Sequence, residues 1–272
     1  AALDGTRDLV DYVRAHPGNG AALVHPAVTP RFVPSCTDPL LAGLGALAEE
    51  LGCHVQTHCS ESDWQHGYVL ARYGVTDTTA LDRFGLLRRH TVLAHGVLIE
   101  DDDMGRIRMR GSGIAHCPLS NIYFSNAVFP LRTTLDKGLR VGLGTDISGG
   151  PSASLFDGLR MAVHASRLLE EGVDPSLPPE RRARPGARID VREAFHLATA
   201  GGADVLDLPV GRFAPGCRFD AMVIDTEAPG GTIRLIDEPP SAQDLLQTLL
   251  FTASRPNIAE VWVEGRRVAG AG

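Results

Sequence analysis

A chain of 272 residues, 43% hydrophobic and 22% charged, is ordinary for a globular protein and long enough to bury one large core. Its formal charge of -7, without any basic stripe, argues against a nucleic-acid polymer or an anionic membrane surface as partner. No apolar run approaches the roughly 20 residues of a bilayer span, and five cysteines without C-x-x-C spacing suit a reducing, cytoplasmic setting better than a disulfide framework.

The first periodic segment, Leu9 to Arg14, leads through H-P-G-N-G into A-A-L-V-H-P-A-V, which is expected to be a buried strand, and then into T-P-R-F-V-P-S-C. Leucines and alanines at helical spacing predict a helix from Pro39 to Leu51, ended by Gly52. The strand Cys53 to Thr57 delivers His58, and helical stretches around Tyr68 and Leu81 lead to the strand Thr91 to Ala94. Asp101 to Asp103 read as the first turn of a helix, where negative charge suits the dipole. G-I-A-H-C, a helix near Pro130 to Lys137, and the strand Leu139 to Gly144 follow, and then helices over Leu155 to Leu169 and Val191 to Asp207.

Arg31, His58, His95, His116 and Asp146 thus mark five successive strand ends, spaced close to the roughly 30 residues of a βα unit. That is the pattern of a parallel α/β barrel, whose chemistry sits at the C-terminal ends of its strands. After Leu208 the texture changes to a small β appendage: an alternating strand, a Pro/Gly-rich loop, a helix from Ala242 to Phe251, and a hairpin turning at Glu264 and Gly265. The expected division is residues 1–207 and 208–272.

The chemistry lies in four islands, V-Q-T-H-C-S-E, L-A-H-G, A-H-C-P-L-S-N and G-L-G-T-D. Taken singly, His95 is an ordinary core histidine, Asp146 a turn residue, and the His58-x-x-Glu61 pair a chance spacing. Together at successive strand ends, His58, His95 and Asp146 offer the nitrogen and oxygen donors that zinc prefers, with Glu61 one step beyond as a base and then an acid. His116 is assigned a structural or supporting role. Lys137, the only lysine, sits in a helix-terminal turn, so a carboxylated lysine bridging two metals is not expected. The five cysteines, Cys36, Cys53, Cys59, Cys117 and Cys217, read as small buried hydrophobes. G-L-G-A-L-A at Gly43 falls inside a helix and is no dinucleotide fingerprint.

V-T-P-R-F-V-P-S-C, Q-T-H-C-S-E, T-V-L-A-H-G, I-A-H-C-P-L-S-N, V-G-L-G-T-D-I-S-G-G and R-P-N-I-A-E-V-W-V-E-G together resemble the guanine deaminase family of the amidohydrolase superfamily, among the ATZ/TRZ-like aminohydrolases. The resemblance covers nearly the whole chain. It implies a (β/α)8 TIM-type barrel of the metal-dependent hydrolase kind with a small β-sandwich, one Zn2+ per subunit, a homodimer, and hydrolysis of guanine to xanthine and ammonia in purine catabolism. By position it makes His58, His95 and Asp146 metal ligands. Glu61 becomes the proton shuttle, Asp146 and His95 act at the reacting centre, and Arg31 with Phe32 belong to the purine pocket. The family's first barrel strand carries an H-x-H pair, which occurs nowhere in this chain. The expectation is therefore that the chain covers about strands 4 to 8 and part of the sandwich. A related purine such as 8-oxoguanine as substrate, or a non-catalytic assembly module, are the competing readings.

Overall fold

The computed structural model describes residues 1–236 and 239–270. Five parallel strands form one sheet in the order of the chain: β1 (Ala27–Val28), β2 (His54–Cys59), β3 (Thr91–His95), β4 (Gly113–His116) and β5 (Arg140–Leu143). Each is separated from the next by helices, as parallel pairing requires. Register places Cys59 beside His95 and His116 beside Leu143, so the strands end at nearly one level.

Local sequence explains the elements. The first helix, α1 (Ala2–Ala15), extends the periodic segment towards the N-terminus. α2 (Asp38–Leu51) starts where the Thr37 side chain accepts from the Leu40 N–H, and has Pro39 in its first turn. It ends at Gly52, whose φ of 58° needs no Cβ-bearing residue. Its Leu41, Leu44 and Ala48 are buried against the sheet. Strand β2 alternates strictly between part-buried and buried residues, the period-two signature. α3 (Asp63–Tyr73), α4 (Asp77–Arg83), α5 (Asp101–Arg110), α6 (Pro118–Tyr123) and α7 (Leu131–Asp136) carry the chain between β2 and β5. Val55, Leu93, Ile107, Ile114 and Leu159 are buried in the core they share.

Four expectations need correction. The strand expected over Ala21–Val28 is confined to Ala27–Val28: Leu23 and Val24 are exposed, because this stretch runs past the sheet edge and Pro26 supplies no ladder N–H. Arg31 consequently lies three residues beyond its strand. The helix expected over Val191–Asp207 is interrupted. It consists of α10 (Val191–His196), a π-helical turn over Leu197–Gly201, and α11 (Gly202–Leu206). Here the backbone comes so close to β5 that a Cβ on Gly142 would lie 2.7 Å from Gly202 Cα, and the wider turn accommodates that approach. Finally, Cys217 is only part-buried, unlike the other four thiols. The four-residue α9 (Pro179–Arg182) lies between α8 (Leu155–Glu171) and α10.

The last strands, β6 (Ala221–Ile224), β7 (Ile258–Val263) and β8 (Arg266–Gly270), make an antiparallel sheet in chain order. Glu264 and Gly265 both have positive φ, as a two-residue hairpin demands. Between β6 and β7, α12 (Ala242–Thr252) packs on α8, where Arg160 donates from Nε to Leu250 O (2.9 Å) and from Nη2 to Ala253 O (2.6 Å). Those bonds satisfy the carbonyls left over at the end of α12. No helix among the described residues is long and apolar enough to cross a membrane.

Candidate active site

The C-terminal ends of β2, β3 and β5 bring His58, His95 and Asp146 together, with one potential ligand atom from each lying within 4.8 Å of the others. The His58 and His95 rings are stacked with centroids 5.2 Å apart. His95 is fully buried, whereas His58 and Asp146 are partly open to a cavity of ≈ 370 Å³. Arg31, Phe32, Glu61, Phe124 and Gly149 complete its walls.

Hydrogen bonds fix the tautomer of each ring. His58 Nδ1 lies 2.7 Å from the Arg31 carbonyl oxygen, which can only accept, so Nδ1 donates and the Nε2 lone pair is free. His95 Nδ1 donates in the same way to Asn121 Oδ1 at 2.9 Å. Its Nε2 is buried without a hydrogen-bond partner and faces Glu61 Oε1 at 3.8 Å and Asp146 Oδ2 at 4.0 Å. A buried lone pair opposite two carboxylates is unfavourable in isolation, and a divalent cation between them would satisfy all three. Ser120 Oγ donates to Asp146 Oδ2 at 2.6 Å.

The backbone at two of these residues is unusual. His95 has φ 72° and Asp146 has φ 50°, both in the left-handed region that side chains with a Cβ avoid. Each turns the chain at or just beyond its strand end. Gly149 gives Asp146 room, since a Cβ there would sit 2.8 Å from Oδ2.

Arg31 and Phe32 stand at the cavity's other wall, with the guanidinium carbon 5.3 Å from the Phe32 ring centroid. Phe32 continues into Trp64 (6.1 Å) and Trp64 into Tyr68 (5.8 Å), an aromatic row leading away from the site. His116 does not join the group. Its ring lies against Phe129 at 4.9 Å, and burial, aided by the neighbouring His95, pushes its pKa down to about 3, so it stays neutral. Lys137 lies outside the site, paired with Asp101 at 3.1 Å.

Comparison with known proteins follows the same outline. Residues 6–268 match the amidohydrolase family. The chain belongs to the amidohydrolase family. A probable guanine deaminase of Schizosaccharomyces pombe is 36% identical to this amidohydrolase over 274 aligned residues, covering 99% of this chain and 50% of that protein. The guanine deaminase of Dictyostelium discoideum is 32% identical, covering 98% of this chain and 57% of its own. A crystal structure of guanine deaminase from C. acetobutylicum, with guanine in its active site, superposes with a TM-score of 0.83 at 28% identity, over 98% of this chain and 60% of that one. The chain spans about half the length of the curated relatives it matches.

Two residues at the amidohydrolase site carry no signal in the sequence. Ser120 and Asn121 lie within A-H-C-P-L-S-N, yet a hydroxyl and an amide inside a short helix have no spacing that announces a partner. Only the strand order, which puts α6 between His95 and Asp146, reveals them.

Proposed function

We propose that this chain supplies the metal ligands, the proton-shuttling carboxylate and the purine-recognising arginine of a guanine deaminase, which hydrolyses guanine and water to xanthine and ammonia. One observation carries the reading: a single cavity holds Arg31, Phe32 and Glu61 against the His58, His95 and Asp146 group, in a chain similar to proteins of that name.

His58, His95 and Asp146 would hold a divalent cation, Zn2+ in our reading and one per subunit. When bound, such an ion lowers the pKa of a coordinated water towards neutrality. The chain's own residues do the rest. Glu61, within the cavity and facing His95, takes a proton from the attacking water and delivers it to the ring nitrogen beside the amino-bearing carbon, then carries the second proton of that oxygen to the amino group, which leaves as ammonia. Asp146, its Oδ2 held by Ser120, orients the water, and the buried His95 ring is held by Asn121 through Nδ1. Arg31, a permanent forked cation, donates to the carbonyl and imidazole-edge acceptors of guanine, where adenine would present an amino group instead.

In the same reading β1 to β5 are strands 4 to 8 of a (β/α)8 barrel, with residues 1–207 its partial barrel and 208–272 the C-terminal helix and β-sandwich portion. The unbroken parallel order of the first sheet and the antiparallel order of the second support this division. A homodimer in the cytoplasm follows from the family resemblance, and free thiols at all five cysteines are compatible with it.

Ammonia release from guanine, adenine and 8-oxoguanine by the purified intact protein, with zinc content measured in parallel, is the test. Guanine should be preferred, at about one zinc per chain. A zinc-loaded protein that releases no ammonia from guanine would overturn the assignment.

A further inference from the structure

β4 contributes no member of the His58, His95 and Asp146 group, yet it lies between β3 and β5, each of which leads directly to one of them. The short helix α6 begins two residues after it. Neighbouring residues on a helix point about 100° apart, so an adjacent pair on α6 can reach towards both flanking strands at once. Ser120 reaches to the β5 side and donates to Asp146 Oδ2 at 2.6 Å, while Asn121 reaches to the β3 side and accepts from His95 Nδ1 at 2.9 Å. Both side chains are buried, at 0% and 1% exposure, so water cannot replace either bond.

We propose that Ser120 and Asn121 are a paired positioning device, through which one helix sets two ligands from two different strands in a single mutual geometry. The proposal rests on the reading of His58, His95 and Asp146 as a cation site. Its physical core is the tautomer of His95. Without the Asn121 carbonyl oxygen, the Nδ1 hydrogen of a fully buried ring has no acceptor. The ring then loses the one bond that fixes its rotation, so Nε2 is no longer held opposite Glu61 Oε1 at 3.8 Å and Asp146 Oδ2 at 4.0 Å, where a cation would sit. Ser120 acts on the other ligand, holding the Asp146 carboxylate at one rotation.

Zinc affinity of the intact protein, measured by chelator competition, separates the outcomes. Asn121→Ala should weaken binding about 10- to 100-fold, the usual scale for a lost partner of a ligating histidine, and Ser120→Ala about 10-fold. Asn121→Asp, which keeps an oxygen facing Nδ1, should stay within about 3-fold of the parent. Melting temperatures of the metal-free variants distinguish lost positioning from lost folding. Should Asn121→Ala not fold, 15N shifts of His95 in metal-free, histidine-labelled parent protein decide instead: the Nδ1–H tautomer is expected, and an Nε2–H ring overturns the proposal. A parent protein that binds no zinc sinks the cation site itself. A parent that binds zinc while a folded Asn121→Ala binds it equally well sinks only the positioning role.

Discussion

The carbonyl oxygen of Arg31 accepts two hydrogen bonds from one residue, from the backbone N–H of His58 at 3.0 Å and from its Nδ1 at 2.7 Å. The loop after β1 therefore orients the His58 ring through its backbone and lines the cavity through the Arg31 side chain. The two contributions are separable by mutation.

Arg31→Ala should keep the carbonyl and with it the His58 ring orientation, while leaving acceptors on the purine unpaired at roughly 1 to 3 kcal/mol. Steady-state kinetics with guanine should show kcat/KM lowered by about 10- to 100-fold, with zinc content unchanged. A variant that loses its metal would mean that the guanidinium, not the carbonyl, holds the site together.

Glu61→Gln preserves shape and removes the carboxylate to which the proposed function gives the proton shuttle. Turnover should fall by about 10²- to 10⁴-fold, and bound zinc should remain. Zinc lost from this variant would make Glu61 a ligand instead of a shuttle.

At the opposite end of the sheet, Asp207 closes α11 with φ 55° and ties it to the start of β3: Arg89 donates to its carboxylate at 2.5 and 2.8 Å, and His90 Nε2 lies 3.0 Å away. The hydrogen bond from Arg89 is the chief cause that lowers the Asp207 pKa below its ordinary value. A carboxyl with a depressed folded-state pKa stabilises the fold above its unfolded pKa, and that contribution fades as pH falls through the folded value. Asp207→Asn tolerates the left-handed backbone but loses the charge. Denaturant melts should show it weaker than the parent by on the order of 1 kcal/mol at pH 7, with the gap closing in acid below the ordinary Asp pKa near 4. A gap that persists unchanged at low pH would show that charge is not its cause.

Gly45 lies inside α2 where the Phe84 carbonyl crowds the helix, so that an added Cβ would overlap a backbone oxygen that cannot swing away. Gly45→Ala, a change that ordinarily favours a helix, should instead destabilise by about 1 to 3 kcal/mol. A melting temperature equal to or above the parent's would mean that α2 shifts freely on the sheet.

The sequence was legible where polarity contradicts its surroundings. His95 and Asp146 each come at or just beyond the end of an apolar strand that needs no polar residue, His58 comes near the end of the alternating β2, and Glu61 follows His58 by three. Those four stand out in one dimension. Ser120 and Asn121 do not, since serine and asparagine are common at the start of any helix and their partners lie on strands that only the sheet brings near. Ala21 to Val24 misled in the opposite sense: apolar residues promised burial, but a sheet edge gives them nothing to bury against. The π-helical turn over Leu197–Gly201 was hidden because apolar periodicity cannot register one added residue in a turn.

Under the proposed function, the left-handed backbone at His95 and Asp146 sets stability against function at those two positions. An L-residue held there costs about 1 to 2 kcal/mol relative to its relaxed state, and glycine would carry the same φ without that strain. At Asp146, which is only part-buried, little packing would be lost in the exchange, but the buried Ser120 hydroxyl would lose its acceptor. A library ranked on heat tolerance alone would weigh relieved backbone strain against that orphaned hydroxyl and would be blind to the carboxylate. Under the proposed function, thermostability engineering of this protein holds Asp146 fixed from the outset.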